Sequence, residues 1–422
     1  MNRAERRNQE RTNKNESRNG SSVRNVGIPS AGRILWTSNA PWAATGYGQQ
    51  TAQVTTRLKK EKYEVAIAAN YGLEGASTSW NTPYGEIPIY ARGHENYSND
   101  VVPAHMYDWT SREPDVPNLL MTLYDVWVFK GKKWADWKVA SWVPVDHFPA
   151  PKEVTQWCEQ SFVTPIVMSQ FGKQMFENVG IEAEYVPHAI EKTFQPTFKI
   201  TTADNEKITG REFIGIGEDK FVVGMNAANK GIVPNRKAFG ENLLAFSMFA
   251  QKHDDAILYL HTDYLGAAGG INLMDLIQAV GLQKHQYKFI DPYLYRTALS
   301  QEIVSATYTA MDVFLGVSMG EGFGIPTIEA QACGTRVIVS DFAASTELVG
   351  EGWLVDCQPY WDPMQRSFFT TPLIPSIVDA LEKAYQKGRS RSQQAIDFAL
   401  LYDADTIFES HWKPVLNKLL TK

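Results

Sequence analysis

Short apolar runs alternate with longer amphipathic stretches along the chain from Arg33 onward. Apolar runs bounded by turn residues predict strands, and stretches with apolar positions three or four apart predict helices. In the first half the predicted strands are 33–37, 64–69, 119–124, 138–145 and 183–186, with helices at 49–61 and 171–179. In the second half they are 221–228, 256–262, 287–290, 313–317, 336–340 and 353–356, with helices at 235–253, 271–280 and 327–333. Such alternation predicts parallel sheets covered by helices on both faces.

The alternation stops once, at a polar stretch over 199–211, and then restarts. We therefore predict an α/β protein with two facing Rossmann-like domains, residues 28–198 and 199–402. Residues 403–422 contain one more predicted helix, 406–420, whose apolar stripe must pack against another part of the protein. We expect this helix to cross back to the N-terminal domain. Because open parallel sheets bind ligands at the carboxyl ends of their strands, the cleft between the domains is the predicted site.

Residues 1–27 form a polar, low-complexity arm in which basic residues outnumber acidic ones. With almost no apolar side chain to bury, the arm is predicted to be disordered. We interpret it as a solubilising tail, the alternative being a tether to an acidic partner or to nucleic acid. The whole chain has a formal net charge of −6, which argues against nucleic-acid binding over the entire surface.

The three cysteines, Cys158, Cys333 and Cys357, are far apart and form no C-x-x-C pair. Their spacing favours neither a structural zinc site nor a disulfide framework, and it is typical of a reducing compartment. No apolar run approaches the roughly 20 residues that a membrane-spanning helix needs, and the N-terminus lacks the apolar core of a signal peptide. We therefore expect a cytoplasmic protein without a transmembrane segment.

The segment 313–341 joins an apolar strand, a glycine-rich loop and a short helix. Its loop contains Gly320, Gly322 and Gly324, which allow backbone turns closed to other residues and a close approach of the main chain to a ligand. Pro326 suits the first position of a helix. The free N–H groups at the start of that helix, near Thr327, together with its dipole, predict a site for phosphate.

Two carboxylates, Glu321 and Glu329, frame this predicted phosphate site. Carboxylates beside an anion site are suited to accept hydrogen bonds from hydroxyl groups. One of these hydroxyl groups would belong to a sugar and the other to a ribose, with a diphosphate between them. The alternative is that Glu329, in the first turn of the predicted helix, only complements the helix dipole. That alternative leaves Glu321 without an explanation.

The sequence GEGFGIPTIEAQACGTRVIVSD resembles the E-x7-E signature of glycosyltransferase family four, a retaining family with the GT-B fold; Arg336 stands where the family usually has proline. The resemblance implies transfer of a sugar from a nucleotide-diphosphate sugar, UDP- or GDP-linked, to an acceptor hydroxyl. It also implies that no metal or other cofactor takes part. Glu321 would contact the transferred sugar, and Glu329 would bind the ribose. The backbone at Phe323, Gly324 and Ile325 would approach sugar and phosphate.

The first βα turn, 39–50, contains Gly46 and Gly48 just before a predicted helix. A pair of glycines alone is also explained by an ordinary tight turn. The turn is similar to the family's N-terminal glycine loop, which lies near the donor phosphates and the acceptor. We therefore assign Gly46 and Gly48 to donor binding and Tyr47 to the acceptor.

Lys230, Arg236 and Lys237 crowd the carboxyl end of the strand 221–228 and the start of the next helix. Cations at a helix N-terminus oppose the dipole, so a bound anion explains them better than local stability does. The resemblance implies that such cations neutralise the leaving diphosphate. We predict that Lys230 and Lys237 are catalytic and that Arg236 binds the donor, the alternative being a solvated basic turn.

Further candidates follow other predicted strands. Asp146 and His147 come after 138–145, and Asp125 comes after 119–124. We predict His147 to be catalytic by orienting the acceptor or a sugar hydroxyl, and we assign both aspartates to the acceptor. Pro292 and Tyr293 follow 287–290, where the family's loop packs against the nucleotide base. His188 resembles the family's turn at the interdomain hinge.

The pattern Asp403-Ala404-Asp405 superficially matches a metal-binding D-x-D. It lies late in the chain, just before the terminal predicted helix, where Asp405 could cap that helix. We therefore reject a metal site there.

Two rival functions remain open: a sugar-nucleotide epimerase of the same fold, and a non-catalytic sugar-nucleotide-binding protein. The acceptor is equally open, and polysaccharide, protein, lipid headgroup and modified nucleic acid all remain candidates.

Overall fold

The computed structural model describes residues 31–202, 204–297 and 299–421. The predicted disordered arm, residues 1–27, lies outside the described residues. Among the helices that are described, none combines the length and the apolar character that crossing a bilayer requires.

The first sheet is built from the chain up to Tyr185 and has eight strands. Its strands are β1 (Arg33–Ser38), β2 (Glu64–Ala69), β3 (Thr78–Thr82), β4 (Gly85–Tyr90), β5 (Asn118–Leu123), β6 (Val139–Val143), β7 (Val163–Val167) and β8 (Glu184–Tyr185). Helices α1 (Gly46–Lys60), α2 (Val102–Ser111), α3 (Lys152–Cys158) and α4 (Gln170–Glu177) accompany them. The strand order is β3-β4-β2-β1-β5-β6-β7-β8, parallel except for the β3–β4 hairpin. We call this part the N-terminal domain.

Between the two large sheets lies a small hairpin of β9 (Ile200–Thr201) and β10 (Lys207–Ile208), followed by α5 (Gly210–Ile214). The stretch predicted as a linker or surface excursion is therefore folded. The Thr209 side chain and Glu212 form a reciprocal capping box at the start of α5, which explains why the helix begins there.

The second sheet has six strands in the order β13-β12-β11-β14-β15-β16, all parallel. They are β11 (Phe221–Asn226), β12 (Ala256–His261), β13 (Tyr287–Phe289), β14 (Val313–Leu315), β15 (Arg336–Ser340) and β16 (Gly352–Val355). The helices are α6 (Phe239–Ala250), α7 (Leu273–Ala279), α8 (Pro292–Arg296), α9 (Gln301–Ala310), α10 (Ile325–Ala332), α11 (Ile374–Lys387) and α12 (Gln393–Ala399). This is the doubly wound dinucleotide-fold order, with the topological switch between β11 and β14. We call this part the C-terminal domain.

A hairpin of β17 (Cys357–Asp362) and β18 (Ser367–Pro372) leaves the C-terminal domain after β16. Sequence analysis missed it, together with the β3–β4 hairpin. The hairpin pairs with the N-terminal domain through two backbone hydrogen bonds between Phe148 and Phe368, of 2.9 and 3.1 Å. It is therefore a bridge between the domains.

The C-terminal segment crosses back to the N-terminal domain, as predicted. It consists of α13 (Ala404–Ile407), one π-helical turn (Phe408–Trp412) and α14 (Lys413–Leu420), so it is not a single regular α-helix. The ring of Trp412 lies 6.0 Å from that of Trp36 and 4.8 Å from that of Trp142, and all three are buried. Lys413 adds an ion pair to Glu61 at 2.9 Å.

We expect Trp412→Ala to lower the free energy of unfolding by about 3–5 kcal/mol, because deleting a buried ring removes transfer energy and leaves a cavity. Urea denaturation followed by circular dichroism measures the change. Glu409→Ala, an exposed change in the same segment, is the matched control and should stay within about 0.5 kcal/mol. Equal stability of the two variants would show that the segment is not docked on Trp36 and Trp142.

Candidate active site

The carboxyl ends of the strands in both sheets meet at one cleft. The N-terminal domain contributes side chains that follow β1, β5 and β6, and the C-terminal domain contributes side chains that follow β11 and β14. The polar side chains that line this cleft are Tyr47, Asp125, Asp146, Arg236, Lys237 and Glu321. An ion pair of 3.8 Å between Arg236 Nη1 and Asp146 Oδ2 joins the two sides.

Glu321 is the centre of this cluster. Its Oε1 accepts from Lys237 Nζ at 2.5 Å, and its Oε2 accepts from Arg236 Nη1 at 3.0 Å. Burial alone would raise the pKa of the Glu321 carboxyl, but Lys237 and Arg236 outweigh it and lower the pKa to about 2. Glu321 is therefore an ionised, acceptor-only group at neutral pH.

The glycine loop brings Glu321 to the domain interface. A Cβ on Gly320 would lie 2.6 Å from the carbonyl oxygen of Asp146, and one on Gly322 would lie 2.5 Å from Pro144 Cβ. Sequence analysis explained these glycines by a close approach to a ligand; the structure shows that both approach the other domain instead. Gly324 has φ +109°, a conformation that favours glycine.

Helix α10 begins at Ile325, two residues earlier than predicted. Pro326 has no N–H, and the Thr327 N–H already donates to the carbonyl oxygen of Gly324 at 2.9 Å. The start of the helix therefore offers fewer free N–H groups than the sequence predicted. The cations nearest to this helix start in the cluster are Arg236 and Lys237, both paired with Glu321.

The surroundings of Glu329 differ from those of Glu321. It lies in the second turn of α10 rather than the first, so the alternative that it only complements the helix dipole loses its basis. The side chain is buried, and its Oε2 accepts from the Tyr308 hydroxyl at 2.8 Å. Asn226 Nδ2 donates to the same hydroxyl at 2.7 Å. Burial raises the pKa of Glu329 to about 7.

The N-terminal glycine loop lies against α10. Gly46 and Gly48 do not precede α1 but form its first turn, which is capped by the Thr45 side chain. A Cβ on Gly48 would lie 2.2 Å from the carbonyl oxygen of Ala43, so the tight turn requires glycine there. A Cβ on Gly46 would lie 3.3 Å from Ile325 Cδ1. Two predicted donor-site positions from different domains are thus neighbours.

The three residues assigned to the acceptor lie together on the N-terminal side. The cleft walls desolvate Asp125, and with the nearby charge of Asp146 this raises the pKa of Asp125 to about 6. Burial and Asp125 also raise the pKa of the Tyr47 hydroxyl. Tyr47 packs edge-on against Tyr124, with ring centroids 6.2 Å apart. Asp125 is itself exposed to the cleft.

His147 is buried under the β17–β18 hairpin. Its Nδ1 lies 2.7 Å from Asp146 Oδ1, its Nε2 lies 3.3 Å from Asp362 Oδ2, and its ring lies 3.5 Å from that of Phe369. Sequence analysis missed Asp362 and Phe369. The signal that could have found them is a turn, DPMQR, between two runs rich in aromatic and β-branched residues.

Five other predicted residues lie outside the charged cluster. Lys230 is exposed on the loop after β11. Pro292 and Tyr293 open α8, where the Asp291 side chain caps the helix and Tyr293 is exposed. Phe323 is buried, with its ring 5.3 Å from that of His188. Burial lowers the pKa of His188 to about 3, which suits a structural imidazole at the interdomain hinge.

Asp403 and Asp405 both have structural partners. Asp403, not Asp405, caps α13 by accepting from the N–H groups of Asp405 and Thr406, so the predicted capping residue was wrong. Asp405 instead pairs with Arg57 at 3.0 Å and Lys192 at 2.7 Å. Within the described part of the chain, no group of three or more histidines, cysteines or carboxylates is placed to hold a metal ion.

Known structures share this architecture. Sucrose-phosphate synthase from Thermosynechococcus elongatus has a TM-score of 0.68 at 16% identity, covering 92% of this chain and 99% of that one. Alpha,alpha-trehalose 6-phosphate synthase from Burkholderia multivorans has a TM-score of 0.64 at 12% identity, covering 92% and 97%. Anabaena HepE in complex with UDP-glucose has a TM-score of 0.62 at 14% identity, covering 91% and 99%. No curated protein matches the chain in sequence.

The two facing Rossmann-like domains and the charged cleft between them define a protein of the GT-B fold. Residues 233–362, which contain Arg236, Lys237 and the whole glycine loop, match the family described as glycosyl transferases group 1. Over these residues the chain is similar to the group 1 glycosyl transferases.

Glu329 gives the protein a pH-dependent stability. Because the folded-state pKa, about 7, exceeds the ordinary value of 4.5, the contribution of Glu329 is complete below pH 4.5 and is lost as pH rises through about 7. Between pH 5 and pH 8 the wild type should lose roughly 2–3 kcal/mol of unfolding free energy relative to Glu329→Gln, which cannot ionise. Urea denaturation at both pH values measures this.

Glu206→Gln, a change on an exposed turn, is the control for loss of a carboxylate. A constant difference in stability between wild type and Glu329→Gln from pH 5 to pH 8 would contradict the assignment of a raised pKa to Glu329.

Proposed function

We propose that the protein is a retaining glycosyltransferase that moves a sugar from a UDP- or GDP-linked donor to an acceptor hydroxyl. The observation that carries the proposal is the cluster of Arg236 and Lys237 on Glu321, at the mouth of α10 and between two Rossmann-like domains. A nucleotide-diphosphate sugar combines the two chemistries that this cluster suits, namely a diphosphate for the cations and sugar hydroxyls for the carboxylate.

The cluster is preorganised for charge that develops during transfer. When the bond between sugar C1 and the phosphate oxygen breaks, the leaving diphosphate gains negative charge, and Arg236 and Lys237 stabilise it without reorganisation. The side chain of Lys237 is mostly buried and that of Arg236 is partly buried, so each charge acts in a weakly screened environment.

The proposed route retains anomeric configuration through reaction on one face of the sugar. The acceptor oxygen forms its bond to C1 on the face that the phosphate leaves, and the acceptor proton passes to the departing phosphate oxygen. Glu321 is held by two cations and is a poor nucleophile, so the route uses no covalent enzyme intermediate. Detection of a glycosyl-enzyme adduct by mass spectrometry would contradict it.

The neighbouring structures support the choice of donor by analogy. Anabaena HepE, which has the same fold, is seen in complex with UDP-glucose. The acceptor stays open, and Tyr47, Asp125 and Asp146 are the residues that we propose to receive it. An epimerase of the same fold remains the rival activity, and it would convert a sugar nucleotide without releasing the nucleoside diphosphate into transfer products.

We expect Lys237→Ala to lower the release of nucleoside diphosphate at least about 100-fold, because a preorganised cation on the leaving group is lost. The measurement is a screen of UDP- and GDP-linked sugars, with nucleotide products separated by chromatography. Lys252→Ala, an exposed lysine of the same domain, is the matched control. Equal rates for the two variants, or epimerised sugar nucleotide as the sole wild-type product, would contradict the proposal.

Glu321→Gln should separate binding from turnover. Removing the carboxylate leaves the charges of Arg236 and Lys237 uncompensated, so UDP should bind about threefold to tenfold more tightly by titration calorimetry. Transfer should nevertheless fall, because the neutral amide has one acceptor oxygen instead of two and accepts a hydrogen bond from a sugar hydroxyl less strongly than the carboxylate does. Weaker UDP binding by this variant would show that the two cations do not hold the diphosphate.

A further inference from the structure

The β17–β18 hairpin, residues 357–372, is here called the strap. At one end it is fixed to the glycine loop, where Thr370 N donates to the carbonyl oxygen of Met319 at 2.9 Å. At the other end it docks on the N-terminal domain through Phe148, and Ser367 Oγ donates to the carbonyl oxygen of Pro149 at 2.5 Å. It therefore touches both domains beside the proposed reaction site.

One side chain of the strap, that of Asp362, contacts the predicted catalytic residue His147 of the N-terminal domain. Asp362 is 4% exposed, and its Oδ2 lies 3.3 Å from His147 Nε2. Its Oδ1 accepts from the Met364 N–H at 2.9 Å, which fixes the carboxylate within its own turn. The other ring nitrogen of His147 faces Asp146, and Phe369 covers one face of the ring. His147 is thereby held at both nitrogens and one face.

The contacts continue from His147 across the cleft. Asp146, 2.7 Å from His147, is also 3.8 Å from Arg236, which in turn contacts Glu321 at 3.0 Å. Asp362 of the C-terminal domain thus contacts His147 of the N-terminal domain, and His147 contacts Asp146. Asp146 in turn pairs with a cation of the C-terminal domain. The arrangement is complete only while the strap is docked.

A purely structural role explains Asp362 poorly. The strap already docks through backbone pairs and through Arg366, which forms an ion pair with Glu153. Burial of a carboxylate is costly, and an apolar side chain of similar size in such a place is often as stable or more stable. Asp362 and Phe369 both contact the ring of His147, where an apolar side chain in place of the carboxylate would also pack.

We propose that Asp362 is a positioning residue for the transfer reaction. It fixes the imidazole of His147, and through it Asp146, in the arrangement that receives the acceptor, and it does so only when the strap joins the two domains. The inference rests on the proposed acceptor-side role of His147. It adds a residue, and a link between domain closure and assembly of the site, to the cluster already described.

A double-mutant cycle tests the proposal. Asp362→Asn and His147→Gln should each lower kcat for transfer about 10- to 100-fold, because misplacement of an orienting group is costly. The donor KM should change less than about threefold, since Asp362 contacts His147 on the proposed acceptor side. The double variant should be no slower than His147→Gln alone, because residues that act as a unit are not additive. If the losses of kcat in the two single variants multiply in the double variant, Asp362 acts independently of His147 and the proposal is overturned.

Arg366→Gln is the matched control, because it removes a contact of the same turn with the N-terminal domain but leaves His147 untouched. The pair is exposed, so kcat should fall less than about threefold. A loss as large as that of Asp362→Asn would mean that docking of the strap, and not the carboxylate, carries the effect. That outcome would also overturn the proposal.

A spectroscopic readout separates this inference from the proposed function. The ring signals of His147 in nitrogen-15 correlation spectra, assigned by their loss in His147→Gln, should shift in Asp362→Asn and not in Arg366→Gln. This measurement needs no donor or acceptor. If no sugar nucleotide is turned over, a shift still supports the contact and only the proposed function fails. Unchanged ring signals in Asp362→Asn would overturn the positioning role.

Discussion

The whole site depends on one carboxylate that holds two cations. Arg236 and Lys237 follow β11, and Glu321 follows β14, so the three charges meet at the topological switch point of the C-terminal sheet. Glu321 lies between the two cations, and Asp146 pairs with Arg236 from the other domain, so that like charges are separated by opposite ones inside a partly desolvated cleft. The charged groups of the cleft are thereby held in place by one another.

The ionic cluster exists only because the domains approach each other closely. Gly320 and Gly322 place backbone directly against Asp146 and Pro144, in gaps too small for a side-chain carbon. A larger residue at either position would push the glycine loop away from the N-terminal domain and would lengthen the contact between Arg236 and Asp146. The glycines of this motif therefore set the separation of the domains as much as the shape of a phosphate loop.

Predictions from the sequence were most accurate for elements whose hydrophobic pattern is set by burial. Central strands such as β2 and β15 were predicted to the residue, because strands buried on both faces are continuous apolar runs. The β3–β4 and β17–β18 hairpins were missed because half-exposed strands mix aromatic with polar residues. Glu321 and its two cations were found from local motifs. Asp362 was not, since it meets His147 across 215 residues of sequence, and only the folded strap brings them together.

The two carboxylates of the E-x7-E segment illustrate what the motif alone does not reveal. The two lie eight positions apart, on one loop and the helix that follows it. Glu321 is held ionised by two cations, whereas Glu329 is buried against Tyr308 with a pKa of about 7. At neutral pH the first can only accept hydrogen bonds, while the second can donate or accept. If Glu329 binds a ribose, as the family resemblance implies, its side chain must leave Tyr308 or share it. Donor binding and ionisation of Glu329 are then coupled events.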